Sequence, residues 1–436
     1  MSTSQRIDHN YGLEYSIKLA NDNKLPLIVF FGISPSYPDA NRRHYYFMLE
    51  GINELRKNLN DLNIHFVTDI ISPDKGVIKL LNNCSTLIMD YAYTKIHKKW
   101  AKSVIDESKI LGVKTYTAES DLVVPISETS EKLEYSARTI RPKILSKYKM
   151  YLNDCLIKSV EKTLDNKNNY KSVETHDINE FLLKLNIDQS VRKTKYFKGG
   201  ESQAKKVLDN FLNNSLDKYF ESNDPSNDYS SKLSPYIHFG QISTVYIIKK
   251  VNDFYEKNKN RINIENVDSF IEQILVRREL AFNYIYYSDG YDDFYKMTDA
   301  WAYKTMRAHE LDEREYIYSL NDFDNSKTHD KYWNAAMLEM KKTGYMHNYM
   351  RMYWGKKIIE WTPNYKQAYE IILYLNNKYF IDGRDANSYA SVAWLFGKHD
   401  RAWTERKVFG KLRYMNEGGL KRKFNIEKYV ERIIKT

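Results

Sequence analysis

The sequence predicts an N-terminal α/β layer built on a parallel sheet, followed by a larger all-helical half. Three observations carry this expectation. At 436 residues the chain is longer than one hydrophobic core usually supports, so two domains are expected. Short apolar runs alternate with helical periods up to about residue 125, the pattern of strands joined by crossover helices. Beyond residue 200 strand-like runs nearly vanish and helical spacing takes over.

In order along the chain, Leu27-Ile28-Val29-Phe30-Phe31 reads as a buried parallel strand closed by Gly32. After a turn rich in Ser and Pro, Tyr45, Met48, Leu49, Ile52, Leu55 and Leu59 recur at helical spacing. Ile64-His65-Phe66-Val67, Thr86-Leu87-Ile88-Met89 and Val113-Lys114-Thr115-Tyr116 read as three more strands separated by helices. From about 126 to 198 the chain is charged and Asn-rich, a connector with some helix. Long helical periods follow over 267–287, 329–343 and 345–361. The expected division is therefore an α/β domain over 1–125, a connector over 126–198 and a helical domain over 199–436.

The charge balance is basic, 67 Lys and Arg against 57 Asp and Glu, which favours a polyanionic partner such as nucleic acid. Two cysteines, Cys84 and Cys155, build neither a disulfide framework nor a metal site, in keeping with a reducing, intracellular, soluble setting. The longest apolar run, 25–33, is too short to span a bilayer. No signal peptide opens the chain. His-Glu-x-x-His, Cys-x-x-Cys, the phosphate loop of nucleotide hydrolases and Gly-x-Gly-x-x-Gly are all missing from the sequence. No metal is therefore expected, and an enzyme built on this chain would take its chemistry from a cofactor.

Four segments stand out. Ser230-Ser231-Lys232-Leu233-Ser234-Pro235 sets hydroxyls before a Pro-started helix, suited to an anion or simply to a cap. In 270–284, Glu272, Arg277, Arg278 and Glu279 sit within an apolar helix, where buried charges must pair. Trp354 and Trp361, seven apart, share one helix face, the usual mark of a core stripe. Gly397 to Asn416 is densely charged, carries Trp403 and Tyr414, and follows neither a helical nor a strand period.

Together these segments resemble the class II cyclobutane pyrimidine dimer photolyases of the photolyase/cryptochrome superfamily. Residues 397–416 follow that family's Gly-x-His-Asp-x-x-Trp-x-Glu-Arg…Phe-Gly-Lys…Arg-Tyr-Met-Asn signature, and 270–284 follow Phe-x-Glu-Glu…Arg-Arg-Glu-Leu-x-x-Asn-Phe with two departures. Similarity extends over 42–51, 134–143, 327–336 and 381–387.

The resemblance implies FAD bound in the helical half and active when reduced. It implies UV-damaged DNA, double- or single-stranded, as substrate, no membrane association, and a monomer. Light would drive an electron from the flavin into a flipped-out pyrimidine dimer, which splits. It leaves room for a second, antenna chromophore in the α/β half. Ser230, Ser231, Leu233, Ser234 and Tyr219 match the flavin-phosphate loop. Arg351 and Asp382 match an ion pair beside the flavin ring, with Asn376 and Arg384 as further contacts. Met352 and Trp394 match an apolar platform for the dimer, beside Glu272 and Gln273. Trp354, Trp333 and Trp361 match a relay reducing the flavin from the surface. Asp400, Arg401, Trp403 and Arg413 match the part that fills the hole left by the flipped dimer, with Lys421, Arg422 and Lys423 supplying phosphate contacts.

The sequence also departs from the family. Gln273 replaces the second Glu, and an amide cannot give up a proton. Asn348 replaces a Gly, Ser222 an Arg, and the segment from Trp394 to His399 is one residue short. These changes keep open a light-sensing or DNA-binding flavoprotein without efficient repair. Ser4, Gln5, Arg6 and Asp8 match, yet Met1 falls where the family's first strand ends. A start codon assigned too late is expected, because losing an inner parallel strand leaves backbone groups unpaired and a gap in the core.

Overall fold

The computed structural model describes residues 1–435. After α1 (Tyr11–Asp22) come four strands, β1 (Ile28–Gly32), β2 (His65–Asp69), β3 (Thr86–Asp90) and β4 (Lys114–Ala118). Helices α2 (Arg42–Asp61), α3 (Pro73–Leu81) and α4 (Lys95–Ile110) lie between them. Each strand falls on one of the four expected runs; β1 and β2 are the apolar, largely covered ones, whereas β3 is only half-buried and β4 is mostly exposed.

Short helices α5 (Ile126–Thr129), α6 (Ala137–Leu145) and α7 (Ile178–Leu183) punctuate the following stretch. The rest is helical: α8 (Glu201–Asn214), α9 (Ser234–His238), α10 (Thr244–Lys257), α11 (Ile264–Ile271), α12 (Arg278–Tyr287), α13 (Ala300–Ala308) and α14 (Leu320–Asp324). Then come α15 (Lys331–Thr343), α16 (Asn348–Glu360), α17 (Tyr365–Tyr379), α18 (Ala386–Leu395), α19 (Glu417–Lys423) and α20 (Ile426–Lys435). Between α11 and α12 the chain stays helical but widens to a π-helix over Glu272–Arg277. Such widenings cost hydrogen-bond geometry and concentrate at functional sites.

The N-terminus of α2 staples the two halves together. Arg43 donates to the carbonyls of Arg192 at 3.0 Å, Met340 at 3.3 Å, Tyr379 at 2.9 Å and Lys341 at 2.5 Å. Asn41 donates to Lys378 O at 2.7 Å, and His44 Nε2 bonds Phe380 O at 3.0 Å. Apart from that of Arg192, these carbonyls lie in the last turns of α15 and α17 or just beyond, where the helix leaves them unpaired and its dipole favours a cation. Burial pushes the Arg43 guanidinium down to about 10, which still leaves it charged at neutral pH.

The sheet is split. β1 pairs in parallel with β2, and β3 with β4, as two separate two-stranded sheets. The inner edges of β1 and β3 line one cavity of about 390 Å³, closed by Leu13, Val77, Leu81 and Val104 from the helices. The Met1 ammonium donates to Phe30 O at 3.1 Å, and the Asp90 carboxylate accepts from the N–H groups of Ser2 at 2.5 Å and Thr3 at 3.0 Å. Met1 to Thr3 thus bridge the middle of β1 and the C-terminal end of β3, two strands that do not pair with each other. Burial pushes the Asp90 carboxyl up, but the amino terminus and these N–H groups hold it below its usual value.

The slot has the outline of one parallel strand, with unpaired backbone on both edges. Joining an apolar, strand-forming segment of about six residues ahead of Met1 is expected to raise Tm by several degrees. A Pro- and Asp-containing segment of equal length is expected to leave it unchanged. Differential scanning calorimetry of the two fusions checks this.

Candidate active site and nucleic-acid interface

The helices of the C-terminal half place most of the sequence-derived residues in two neighbourhoods. The first surrounds Tyr345. Its hydroxyl donates to Ser230 Oγ at 2.9 Å, and the Lys232 ammonium lies 4.0 Å and the Arg351 guanidinium 5.8 Å from its ring centroid. Arg351 Nη2 bonds both Asp382 oxygens, at 3.0 and 3.1 Å, and stacks 3.8 Å over Phe380. Lys232 is held by Asp228 at 2.6 Å in a left-handed backbone conformation. The hydroxyl loop, the Arg351–Asp382 pair and a second cation that the sequence reading passed over therefore converge.

Leu233 and Asn376 are buried, and Ser231 and Ser234 are half-buried. Tyr219 packs edge-on against Phe211 and Phe270. Arg384 departs from the group: its guanidinium turns toward Tyr37 of the α/β half, lining a smaller cavity of about 150 Å³ with His238 and Asp385.

His347 caps α16. Burial drives its imidazole down to about 4, so it is neutral. Nε2–H donates to Ser222 O at 2.7 Å, and Nδ1 accepts from Tyr349 N at 3.2 Å. The contact at Ser222 is thus made by its backbone.

The three tryptophans do cluster. Asp330 caps α15 by accepting from Tyr332 N and Trp333 N, which fixes Trp333 at the helix start. Trp333 Nε1 donates to Trp354 O at 3.0 Å, and the Trp333 and Trp361 rings lie 6.1 Å apart. The Trp354 indole N–H is buried without a hydrogen-bond partner among the described residues, three positions after Arg351 on the same helix. One expectation is corrected: Trp361 does not reach the surface, being 3% exposed. The aromatic path continues outward through His329 at 4.9 Å and Tyr318 at 5.6 Å to the exposed Tyr316, which stacks on His329 at 3.8 Å.

The second neighbourhood is the irregular 397–416 segment. Asp400 ties it together, bonding Arg413 Nε at 3.1 Å and Trp403 Nε1 at 3.2 Å. Arg413 lies 4.5 Å from the Trp403 ring and 5.6 Å from Trp394, and Arg401 covers Trp403 at 5.0 Å. Trp394 ends α18, whose last carbonyls are capped from below by Lys356 Nζ on Leu395 O at 2.5 Å. Gly355 lets α16 and α18 approach closely, since a Cβ there would push the Leu395 side chain aside. Lys421 pairs with Glu417 at 2.5 Å, Arg422 is exposed, and Lys423 reaches the Tyr349 hydroxyl at 3.4 Å, all three on α19.

The π-helical stretch carries Glu272 and Gln273. Arg141 grips Glu272 with two bonds, at 2.9 and 2.7 Å, and Arg277 adds a third at 3.0 Å. Burial would raise the Glu272 carboxyl, but these arginines hold it below its usual value, so it stays ionised. It cannot stand in as a proton donor. Gln273 is exposed and Met352 half-buried. The expected ion-pair network inside this helix is only partly realised. Glu279 Oε1 accepts from the N–H groups of Val123 and Val124, at 2.8 and 3.2 Å, and Arg278 Nη1 donates to Asp121 O at 2.7 Å, while Glu279 Oε2 and Arg278 Nε are buried without a hydrogen bond among the described residues.

Burial lowers Lys356 to about 7, with Asp400 opposing and Arg413 adding to the fall. The unfolded chain therefore binds more protons above that value, and stability rises with pH from about 7 toward 10. Below pH 7 the full cost of a buried charge is present. Lys356→Met is thus expected to stabilise the protein more at pH 6 than at pH 9, by about 2–3 kcal/mol. Chemical denaturation at the two pH values measures the difference.

A family model described as DNA photolyase matches residues 1–155. A deoxyribodipyrimidine photo-lyase from Methanothermobacter thermautotrophicus is 42% identical over 436 residues, covering 99% of this chain and 93% of that protein. Another from Potorous tridactylus is 36% identical over 439 residues, covering 99% and 80%. In three dimensions, the crystal structure of an archaeal photolyase from Sulfolobus tokodaii with two FAD molecules matches with a TM-score of 0.73 at 16% identity, covering 99% of this chain and 88% of that one. That likeness supports the fold, a small parallel α/β part followed by a larger helical one.

Proposed function

The chain belongs to the DNA photolyase family, and we propose that it is a light-driven enzyme repairing cyclobutane pyrimidine dimers in DNA, of the class II type. The observation that carries the activity is identity of 42% across essentially the whole chain to a deoxyribodipyrimidine photo-lyase. The class rests on the 270–284 and 397–416 signatures.

The residues around Tyr345 fit a flavin dinucleotide. Hydroxyls and a half-buried ammonium suit its phosphates, an arginine balanced by a carboxylate suits an anionic ring, and a buried indole N–H has no partner among the described residues. We assign Tyr219, Ser230, Ser231, Leu233, Ser234, Arg351, Asn376 and Asp382 to holding it. Held by these residues, reduced FAD would supply light-driven electron-transfer chemistry for opening the dimer. Arg351 places positive charge where the reduced ring is anionic, and Asp382 keeps that arginine oriented. Trp354, Trp333 and Trp361 carry electrons inward when the cofactor must be reduced, entering past Tyr318 and His329.

On the DNA side, Met352 and Trp394 offer an apolar platform on which splayed pyrimidines can stack. Trp403, Arg401 and Arg413 fill the gap left in the duplex, and Lys421, Arg422 and Lys423 contact phosphates. Gln273 can still donate a hydrogen bond to the lesion but no proton, so repair proceeds at a reduced yield. The space between the halves, lined by Tyr37, His97, Trp100 and Arg384, is where we place a second, light-harvesting chromophore.

One defined dimer in an oligonucleotide, incubated with flavin-loaded protein, is expected to disappear under near-UV light and persist in the dark. Binding of flavin and lesion with no light-dependent loss of the dimer would favour the light-sensing alternative. Gln273→Glu is expected to raise repair per absorbed photon. An unchanged yield would remove residue 273 from the lesion contacts. Trp361→Phe is expected to slow photoreduction of the bound flavin while sparing repair by chemically reduced protein, a contrast that transient absorption and the dimer assay read separately.

A further inference from the structure

The 397–416 segment is anchored in the core by Val408, Phe409 and Leu412, and its polar docking to the helical body runs in part through one histidine. His309, at the C-terminus of α13, bonds Asp312 Oδ2 through Nδ1 at 2.7 Å and Glu405 Oε1 through Nε2 at 2.9 Å. Glu405 belongs to the segment. Asp312 passes the grip on by accepting from Val408 N at 2.7 Å. Val408 has a φ of +66°, a left-handed conformation that a β-branched residue adopts only under strain. Its carbonyl is held from the other side by the Tyr365 hydroxyl at 2.6 Å.

The hairpin so pinned pairs Arg406 with Gly410 in both directions, at 2.9 and 2.7 Å, and Trp403 N with Lys411 O at 2.8 Å. Gly410 has a φ of +52°, and a Cβ there would strike Thr305 and His309. His309, Asp312 and Val408 therefore set where Trp403 and Arg413 stand.

We infer that His309 is the positioning residue of the DNA-contacting segment, and that its protonated form is the latch that presents Trp403 and Arg413 to damaged DNA. The inference rests on the assignment of 397–416 to DNA binding. Only an imidazolium can donate to two carboxylates at once. A neutral ring keeps one N–H and turns a lone pair toward the other carboxylate. Asp312 is bound three residues along the same segment, so the contact that opens is the one to the more exposed Glu405.

The charges facing the ring are Asp312 and Glu405 directly. Arg314 acts on Asp312 and Lys411 on Glu405, while Lys407 pairs with Glu313 beside them at 3.4 Å. Glu405 and then Asp312 raise the imidazole above its ordinary value. For a raised histidine, the latch is complete below the ordinary value of about 6.5 and is lost as pH climbs through the raised one.

The test is the affinity for a dimer-containing oligonucleotide, followed by fluorescence anisotropy from pH 6 to 9 at fixed salt. Wild type is compared with H309Q and with E405Q, a change at an exposed position that should leave folding intact. Both variants are expected to bind about tenfold more weakly at pH 6, equivalent to about 1.4 kcal/mol, and to converge with wild type at pH 9. A wild-type pH profile retained in either folded variant overturns the latch. If Trp403→Ala and Arg413→Ala bind damaged DNA as tightly as wild type, the assignment of the segment to DNA fails first, and the latch with it.

Discussion

The geometry of the helical half depends on how the C-termini of α15 and α17 are satisfied. A helix leaves its last carbonyls without partners, and burying them uncapped costs free energy at each. Here the donors come from one short stretch of the α/β half, Asn41, Arg43 and His44 at the start of α2. The residues that follow those two helix ends are the ones that matter chemically. Tyr345 comes just after α15, and Asp382 just after α17. Arg43 spans both ends at once, through Met340 and Lys341 on one and Tyr379 on the other. Fixing the two carbonyl clusters to a common guanidinium fixes the separation of Tyr345 and Asp382, and with it the seat of Arg351 between them. The α/β half thus acts as a clamp on the site even though it contributes few side chains to it.

The strands are legible in the sequence because buried parallel strands read as apolar runs, and the long helices because their periods are strong. The split of the sheet is not legible from hydropathy. It is seen only when β1 and β3 present free edges to one cavity, with Met1 and Asp90 at its end. The π-helix over Glu272–Arg277 is equally hidden, since six residues are too few to separate a period of 3.6 from a wider one. The four charged residues of that helix look like mutual partners in sequence. In space Glu279 and Arg278 are answered by backbone groups more than 150 positions away, which no local pattern encodes.

The candidate site divides the same way. Residues that act through their own chemistry, such as Arg351, Asp382, Trp403 and Arg413, stand out in the chain as charges and aromatics in unlikely company. Residues that act by holding others, such as Tyr345, Arg141, His309 and Lys356, look ordinary, because their meaning lies in partners brought near by the fold. Trp361 shows a third case. Its place in a row of tryptophans is readable, but its depth is not, and depth decides that Tyr318 and His329 rather than Trp361 meet the solvent.

The contrast between the two neighbourhoods follows from what each is made of. Around Trp333 and Trp354 the side chains are buried in a continuous apolar core, and such packing responds little to salt or pH. The 397–416 segment sinks Val408, Phe409 and Leu412 into that core, but its outer part is held by hydrogen bonds and ion pairs, with Trp403 exposed at 37%. Its cation–aromatic stack and its carboxylate links are screened by salt and open to titration. Lys356 joins the two, a buried amine under the end of α18 that senses Asp400 and Arg413 above it. The proposed electron path and the outer face of the proposed DNA grip are therefore built from different forces, and they meet where Val408, Phe409 and Leu412 enter the shared core and where Lys356 supports the turn after Trp394.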